Sequence, residues 1–441
     1  MKKINNNKWQ ETDIGRIPSD WSMSPLLDKL YIKGRIGWKG LKKSEYLKKS
    51  EYMIINGANI QNDQVEWKNC GFIAEERYLE SPEIMLKEDD IIMTKDGTIG
   101  KVAIVPYLPK KSSVASGIFV IRPENDSIHT YYLYSYFKSR YFKEFAKSRT
   151  EGSVIPHLYQ RDFGKICIPL PPSYEEQRKI ASILKSLDDK IELNNQMNQT
   201  LEEMAQAIFK EWFVEFNFPN EDGIPYKDNG GEMVESELGE IPKGWRMEEL
   251  GNICNIGSSK RIFLKDYVED GVPFYRSKEI IEKSKGKNIS TELFITKDRF
   301  MEIENKFGAP KKGDILLTSV GTLGIPYIVN NERFYFKDGN LTWFRNYLIE
   351  EMGLYIYNWL LYGEGKKQMD MIAIGSTQKA LTISALKNLK ILVPSNEILI
   401  NSIKKMKTLK TKIQENIEEN QTLIKTRDTL LPKLMSGKVR V

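Results

Sequence analysis

The chain has 441 residues, enough for two or three domains with full cores. Hydrophobic residues make up 40% and charged residues 29%, the balance of a soluble protein, and no apolar run reaches the ~18 residues of a membrane span. The net charge of +6 is weak evidence for nucleic acid over this length, so local clusters say more. The start lacks the apolar core of a signal peptide. Three scattered cysteines, Cys70, Cys167 and Cys254, show no CxxC spacing, which argues for a reducing cytoplasm and against disulfides or zinc.

The chain opens on TDIGRIPSDW, with Gly15, Pro18 and Trp21. Between Lys29 and Lys49 lie Lys33, Arg35, Lys39, Lys42, Lys43 and Lys48, interleaved with Tyr31, Trp38 and Tyr46 and opposed by Glu45. Such a run reads as a solvated loop or, with its aromatics, as a phosphate-facing surface. Residues 86–105 alternate β-branched runs with glycine turns, predicting strand, turn and strand. Residues 128–147 predict one amphipathic helix whose aromatics belong to the core.

A proline-terminated strand then leads into PLPPSYEEQRKIASILKSLDDKIELNNQMNQTLEEMAQAIFKEWF. Ser173 is placed to cap a helix, with Glu175, Glu176 and Gln177 in its first turn. Ile180, Leu184, Leu187, Ile191, Leu201, Ala205, Ile208 and Trp212 form a three-four stripe, and Asn194 and Asn198 share the seam. That pattern predicts a long helix packed on a partner helix in one register. Its twin carries Ile403, Met406, Lys410, Ile413, Ile417, Asn420, Ile424, Arg427, Leu431 and Leu434.

The twin is part of a duplication. Gly15, Pro18 and Trp21 recur 224 residues later as Gly239, Pro242 and Trp245. KEDDIIMTKDGTIGKVAIV aligns with KKGDILLTSVGTLGIPYIV, matching Asp90 to Asp314 and Gly97 to Gly321. Gly152 matches Gly375, Pro171 matches Pro394, and Gln199-Thr200 matches Gln421-Thr422. Residues 347–368 predict the counterpart of the first aromatic helix, and residues 217–231, rich in Asn, Asp, Gly and Pro, link the modules. The period is too long for a solenoid, so the order is domain, long helix, domain, long helix.

Catalytic motifs are not apparent. His129 and His157 are the only histidines, GTIGKVA lacks the first glycine and the Ser/Thr of a phosphate loop, and no GxGxxG follows a strand. Glu66-Trp67-Lys68 has nuclease-like spacing without a suitable upstream acid. A binding protein fits better than an enzyme; an enzyme with unrecognised motifs and a coiled-coil scaffold without a DNA role remain open.

GxIPxxW, xGDIxxTxxGTxG, a GS loop and the strand–helix junction IPLPPxxEQRKIAxxLxxLDxKI together resemble the specificity (S) subunit of type I restriction-modification systems. The resemblance covers essentially the whole chain, twice over. In the second copy, VPSNEILINSIKKM lacks the Glu-Gln-Arg-Lys-Ile run. The family implies an α+β fold: two similar strand-rich target-recognition domains separated by two long helices that form an antiparallel coiled coil, with a pseudo-twofold repeat. Placed on this sequence, the domains are 1–168 and 235–394, the helical spacers 169–216 and 395–441, and the linker 217–234. The resemblance further implies recognition of an asymmetric bipartite DNA target, no catalysis and no cofactor in this chain. Its partners would be double-stranded DNA, two modification (methyltransferase) subunits that bind S-adenosylmethionine, and restriction subunits that use ATP and Mg to translocate and cut DNA. A fused methyltransferase-nuclease partner is the alternative.

Candidate DNA contacts sit on turns and basic loops: Lys33, Arg35, Lys39, Lys95, Thr98, Arg149 and His157 in the first domain. In the second they are Lys260, Arg261, Arg276, Lys278, Ser319, Thr322 and Lys379. Arg and Lys suit guanine edges; Ser and Thr more often fix phosphates. Gly97 and Gly321 are expected at positive φ, where a missing Cβ lets backbone approach closely.

Overall fold

The computed structural model describes residues 8–37, 40–124, 127–149, 157–237, 239–287, 289, 291–375 and 379–441. They form two compact units, residues 1–192 with 422–441, and residues 193–421. Each unit holds one globular domain and part of each long helix.

In the first unit a four-stranded antiparallel sheet runs in the order Val102–Ile104, Ile91–Thr94, Ile118–Pro123 and Leu30–Gly34. Ile91–Thr94 is buried throughout, and alternation sends its two faces into different cores. Ile91 and Met93 meet the aromatics of the helix Thr130–Lys138, whereas Ile92 meets Ile55 and Val114. Beside it lies a three-stranded sheet in which Lys111–Val114 runs parallel to Tyr52–Ile55, and Tyr52–Ile55 antiparallel to Gly71–Ile73.

The second unit repeats this plan. Its sheet order is Asn255–Gly257, Leu341–Arg345, Ile315–Thr318 and Pro326–Ile328. Ile315 and Leu317 enter one core and Leu316 another. The parallel pair recurs as Val272–Tyr275 with Tyr335–Phe336. The shared GDI-type aspartates are structural: Asp90 accepts from the backbone N–H of Lys87 at 2.7 Å, and Asp314 from that of Lys311 at 2.9 Å. Gly97 and Gly321 have φ of 68° and 81°, as their turns require.

The aromatic helices differ from expectation. Each predicted single helix is two: Thr130–Lys138 and Arg140–Ser148 in the first unit, Met352–Tyr362 and Glu364–Ile372 in the second. At Ser139 the chain is extended, and its hydroxyl accepts from the N–H of Phe142, so a new N-cap starts a new direction. Gly363 breaks the second pair in the same way, without a side-chain cap.

The two long helices are Tyr174–Phe213 and Asn396–Met435. Ser173 Oγ accepts from the N–H of Glu176 at 3.2 Å, the expected cap. Their numbering runs in opposite senses across the contact. In the first unit Arg427 donates to Asp188 at 2.7 Å. In the second, Asn194 Nδ2 donates to Asn420 Oδ1 at 2.9 Å, and Asn416 Nδ2 to Asn198 Oδ1 at 2.8 Å. The pair is therefore antiparallel. A shift of 222 residues turns Asn194 into Asn416 and Asn198 into Asn420, so it exchanges the two amide bonds. That exchange carries the internal repeat into the seam itself.

Ile180 and Leu184 are buried in the first unit's core. Leu187, Ile191, Asn198, Leu201, Ile413 and Ile417 are partly buried on the seam, while Asn194 and Asn420 are buried. Ile424 corrects the expected pattern: it is 36% exposed, because the seam steps by three from Asn420 to the partly buried Leu423 before reaching Arg427. Asn416, 2% exposed, belongs to the seam and was not foreseen. Burying an amide is tolerable here because each one is paired; the same amides penalise a slipped register.

Each domain core is completed by the end of a long helix. In the first unit Leu431, Leu434 and Met435 join Ile17 and Trp21. There is no room beside Gly437, where a Cβ would lie 2.5 Å from the Pro18 ring. In the second unit Phe209, Trp212 and Phe213 join Ile241 and Trp245. GxIPxxW is thus the socket that receives a helix end.

Candidate nucleic-acid interface

In the second unit most of the candidate residues gather around the turn after Ile315–Thr318. Thr322 is exposed on it and lines an open cleft of about 390 Å³ with Lys278, Lys285, Lys287 and Glu282. Lys278 is exposed at the start of the helix Ser277–Ser284. The backbone carbonyl of Lys379 accepts from the N–H of Gly321, which places Lys379 at the same turn. A second cleft, about 290 Å³, is lined by Ser258, Ser259, Ser319 and Asp338. Arg261 is exposed at its rim and pairs with Asp338 at 2.8 Å. Lys260 is exposed beside it, its ammonium 5.0 Å from the Phe307 ring centroid. With three lysines against one glutamate, the larger cleft is lined by net positive charge.

One candidate in this unit is corrected. Ser319 is 3% exposed, and its hydroxyl is bonded to Thr342 Oγ1 at 2.6 Å, so it holds the turn rather than facing outward. Arg276 pairs with Glu279 through Nη2 at 2.7 Å and Nε at 3.2 Å, with its side chain 38% exposed.

The first unit brings together a smaller set. Thr98 is exposed on the turn after Ile91–Thr94, and its carbonyl accepts from Thr94 Oγ1. His157 bridges to the same turn, with Nδ1 bonded to Asp96, and the N–H of Leu158 reaches the Lys95 carbonyl at 2.9 Å. Lys95 lies 5.2 Å from the Phe119 ring, and burial lowers its pKa, opposed by Asp96. Lys33 is exposed on the neighbouring strand, over Tyr31. Arg149 is exposed at the end of Arg140–Ser148, over Phe145. Arg35 is a correction: 2% exposed, it donates to the Val114 carbonyl and to Ser81 and Ser113, pinning strands together. Lys39 and the GS loop at 152–153 lie outside the described residues.

Sequence reasoning missed one equivalence. Lys43–Glu45 and Leu264–Asp266 are the same short turn, each capped by its own acid. The N–H of Lys42 donates to Glu45 at 2.7 Å, and that of Phe263 to Asp266 at 3.1 Å. The next residues pair alike, Leu47 with Phe72 and Val268 with Phe294. KKSEYL over FLKDYV was the available signal, hidden by low identity at the turn itself.

A family model describing the type I restriction modification DNA specificity domain matches residues 18–203 and again 242–427. The chain belongs to that family. The two matches span both globular domains and most of both long helices, which the duplicated geometry requires. A specificity subunit of the type I restriction enzyme MjaIX from Methanocaldococcus jannaschii is 30% identical over 455 residues, covering 98% of this chain and 97% of the relative. That of MjaVIII, from the same organism, is 26% identical, covering 100% and 98%. The crystal structure of a type I restriction-modification S subunit from M. genitalium shares the fold, with a TM-score of 0.58 at 19% identity, covering 98% of this chain and 97% of that one. Among the described residues of this specificity-family chain, no group of three His, Cys, Asp or Glu could hold a metal ion, and no helix is long and apolar enough to cross a membrane.

Proposed function

We propose that this chain is the DNA-reading member of a type I restriction-modification complex in the cytoplasm and performs no chemistry itself. Each globular domain reads one half of a bipartite duplex target. Partner modification subunits, carrying S-adenosylmethionine, methylate adenine there, and restriction subunits spend ATP with Mg on translocation and cleavage.

One observation carries this reading: two equivalent frameworks present different exposed residues at equivalent positions, Lys42 and Lys43 in one, Phe263 and Leu264 in the other. Equal scaffolds with unequal tips suit two unlike base sequences. Phosphate contacts from residues such as Lys278, Lys285 and Lys287 would position each domain, and base-edge contacts would specify.

The test is a genome-wide map of methylated adenines with and without this chain. A bipartite motif should vanish in its absence. Exchanging residues 20–165 for those of another such subunit should then change one half-site and leave the other intact. Loss of neither half-site, or methyl transfer by the isolated chain, contradicts the reading.

A further inference from the structure

We propose that the turn carrying Phe263 and Leu264 is an apolar wedge that inserts into duplex DNA at the half-site read by the second domain. The inference rests on the DNA-reading role above and adds how one element of that surface acts.

Phe263 is 55% exposed and Leu264 86% exposed. A single exposed leucine means little, because folded surfaces carry much apolar area. These two are adjacent and held on a rigid mount. Ile262, just before them, is anchored in a core with Phe274 and Ile295. Asp266 caps the turn by accepting from the N–H of Phe263. Upstream, Ser259 Oγ donates to the Phe336 carbonyl at 2.8 Å, and the N–H of Lys260 donates to the Tyr335 hydroxyl at 2.8 Å. The tip therefore projects without freedom to fold back.

Three basic residues flank it in sequence: Lys260, Arg261 and Lys265, all exposed. Of the acids close by in the chain or paired with these cations, Asp266 caps the turn, Asp338 pairs with Arg261, and Glu269 and Asp270 follow the strand Tyr267–Val268. Asp338 also lines the cleft shared with Ser319, on the face that carries the turn of Thr322. An apolar tip flanked by the exposed Lys260 and Lys265 and by the Asp338-paired Arg261 fits a partner that offers phosphates outside and apolar base faces within. Proteins that kink DNA use Phe and Leu in this way, unstacking one base step.

The duplication argues against a protein partner at this spot. The equivalent turn of the first domain carries Lys42 and Lys43. A protein that docks on both modules needs the same surface twice; a base sequence that differs between half-sites does not. The cationic turn stays on phosphates, and the apolar one reaches the stack.

The experiment uses the full chain assembled with its modification subunits, on duplexes carrying the mapped target. A double variant, Phe263→Ser with Leu264→Ser, should bind the cognate duplex about tenfold more weakly, the scale of one lost base stack. Its salt dependence should be unchanged. 2-Aminopurine placed stepwise along the second half-site should brighten at one step in the wild-type complex and at none in the variant. Phe263→Lys with Leu264→Lys should instead steepen the log–log salt slope by about two, roughly 0.9 per added phosphate contact. Leu264→Ser alone, at so exposed a site, keeps the fold and should weaken cognate binding in the same direction. Unchanged cognate affinity and unchanged fluorescence in the serine variants overturn the wedge. So does loss of assembly with the modification subunits, which makes the turn a protein contact. If the wild-type complex selects no duplex at all, the DNA-reading role itself fails, a distinct outcome.

Discussion

Asp188 and Lys410 occupy the same position in the two copies, 222 residues apart on the seams of the two long helices. Their surroundings make them opposites. Asp188, in the first unit, accepts from Tyr131 Oη and from Arg427 at 2.7 Å, and Lys138 stands at 3.2 Å. Burial works against its charge, but Lys138, Tyr131 and Arg427 together outweigh that cost and hold the carboxyl below its usual range. Lys410, in the second unit, has its ammonium 4.0 Å from the Tyr357 ring centroid. Burial is the larger influence there, Glu202 opposes it only in part, and the pKa falls to about 8. A partly buried charge stabilises where several partners converge on it and costs stability where a single partner does not cover desolvation.

Two buried thiols let this contrast be measured unit by unit. Cys70 lies in the first unit and Cys254 in the second, both buried, so their labelling rates in mild denaturant report local opening of each. The largest effect is expected from Arg427→Met. It should destabilise the first unit by about 3 kcal/mol, at the low end for a broken buried pair because Lys138 and Tyr131 remain. Cys70 labelling should accelerate and Cys254 labelling should not; equal rates with the wild type would mean solvent already screens the pair.

Lys410→Met should do the reverse, slowing Cys254 labelling by an amount equivalent to about 1 kcal/mol at pH 7, since an apolar side chain of similar length removes a desolvated charge. Faster labelling would show that Glu202 compensates the lysine after all.

The same contrast predicts a pH dependence. The folded pKa of Lys410 lies below the unfolded one, so between about 8 and 10.5 the unfolded state binds more protons and stability rises with pH. The gain should appear at Cys254 after correction for intrinsic thiol reactivity, and Lys410→Met should abolish it. For Asp188 the sign is opposite: its stabilisation is present above about pH 4 and fades as pH falls through the lowered folded value. A flat Cys254 profile from pH 8 to 10 would refute the burial account of Lys410.

The amino-acid sequence by itself determined the duplication, the two long helices, their polar seam and the family, because these rest on spacing. Three-four periodicity picks a helix face, and a repeat needs only matched landmarks such as Trp21 and Trp245. Of the candidate interface, the turns were legible and several side chains were not. Thr98, Thr322 and Lys278 are exposed, whereas Arg35 and Ser319 point inward, because an arginine or serine on a loop carries no mark of which way it faces. Ile424 turned outward for a related reason: a one-residue difference in step rotates a helical side chain by about 100°. Only the tertiary structure decided that Leu434 and Met435 close a core begun at Ile17 and Trp21. It alone set Tyr131 and Lys138 beside Asp188 and Tyr357 beside Lys410. The sign of a buried charge depends on neighbours brought from distant parts of the chain, and local pattern does not encode them.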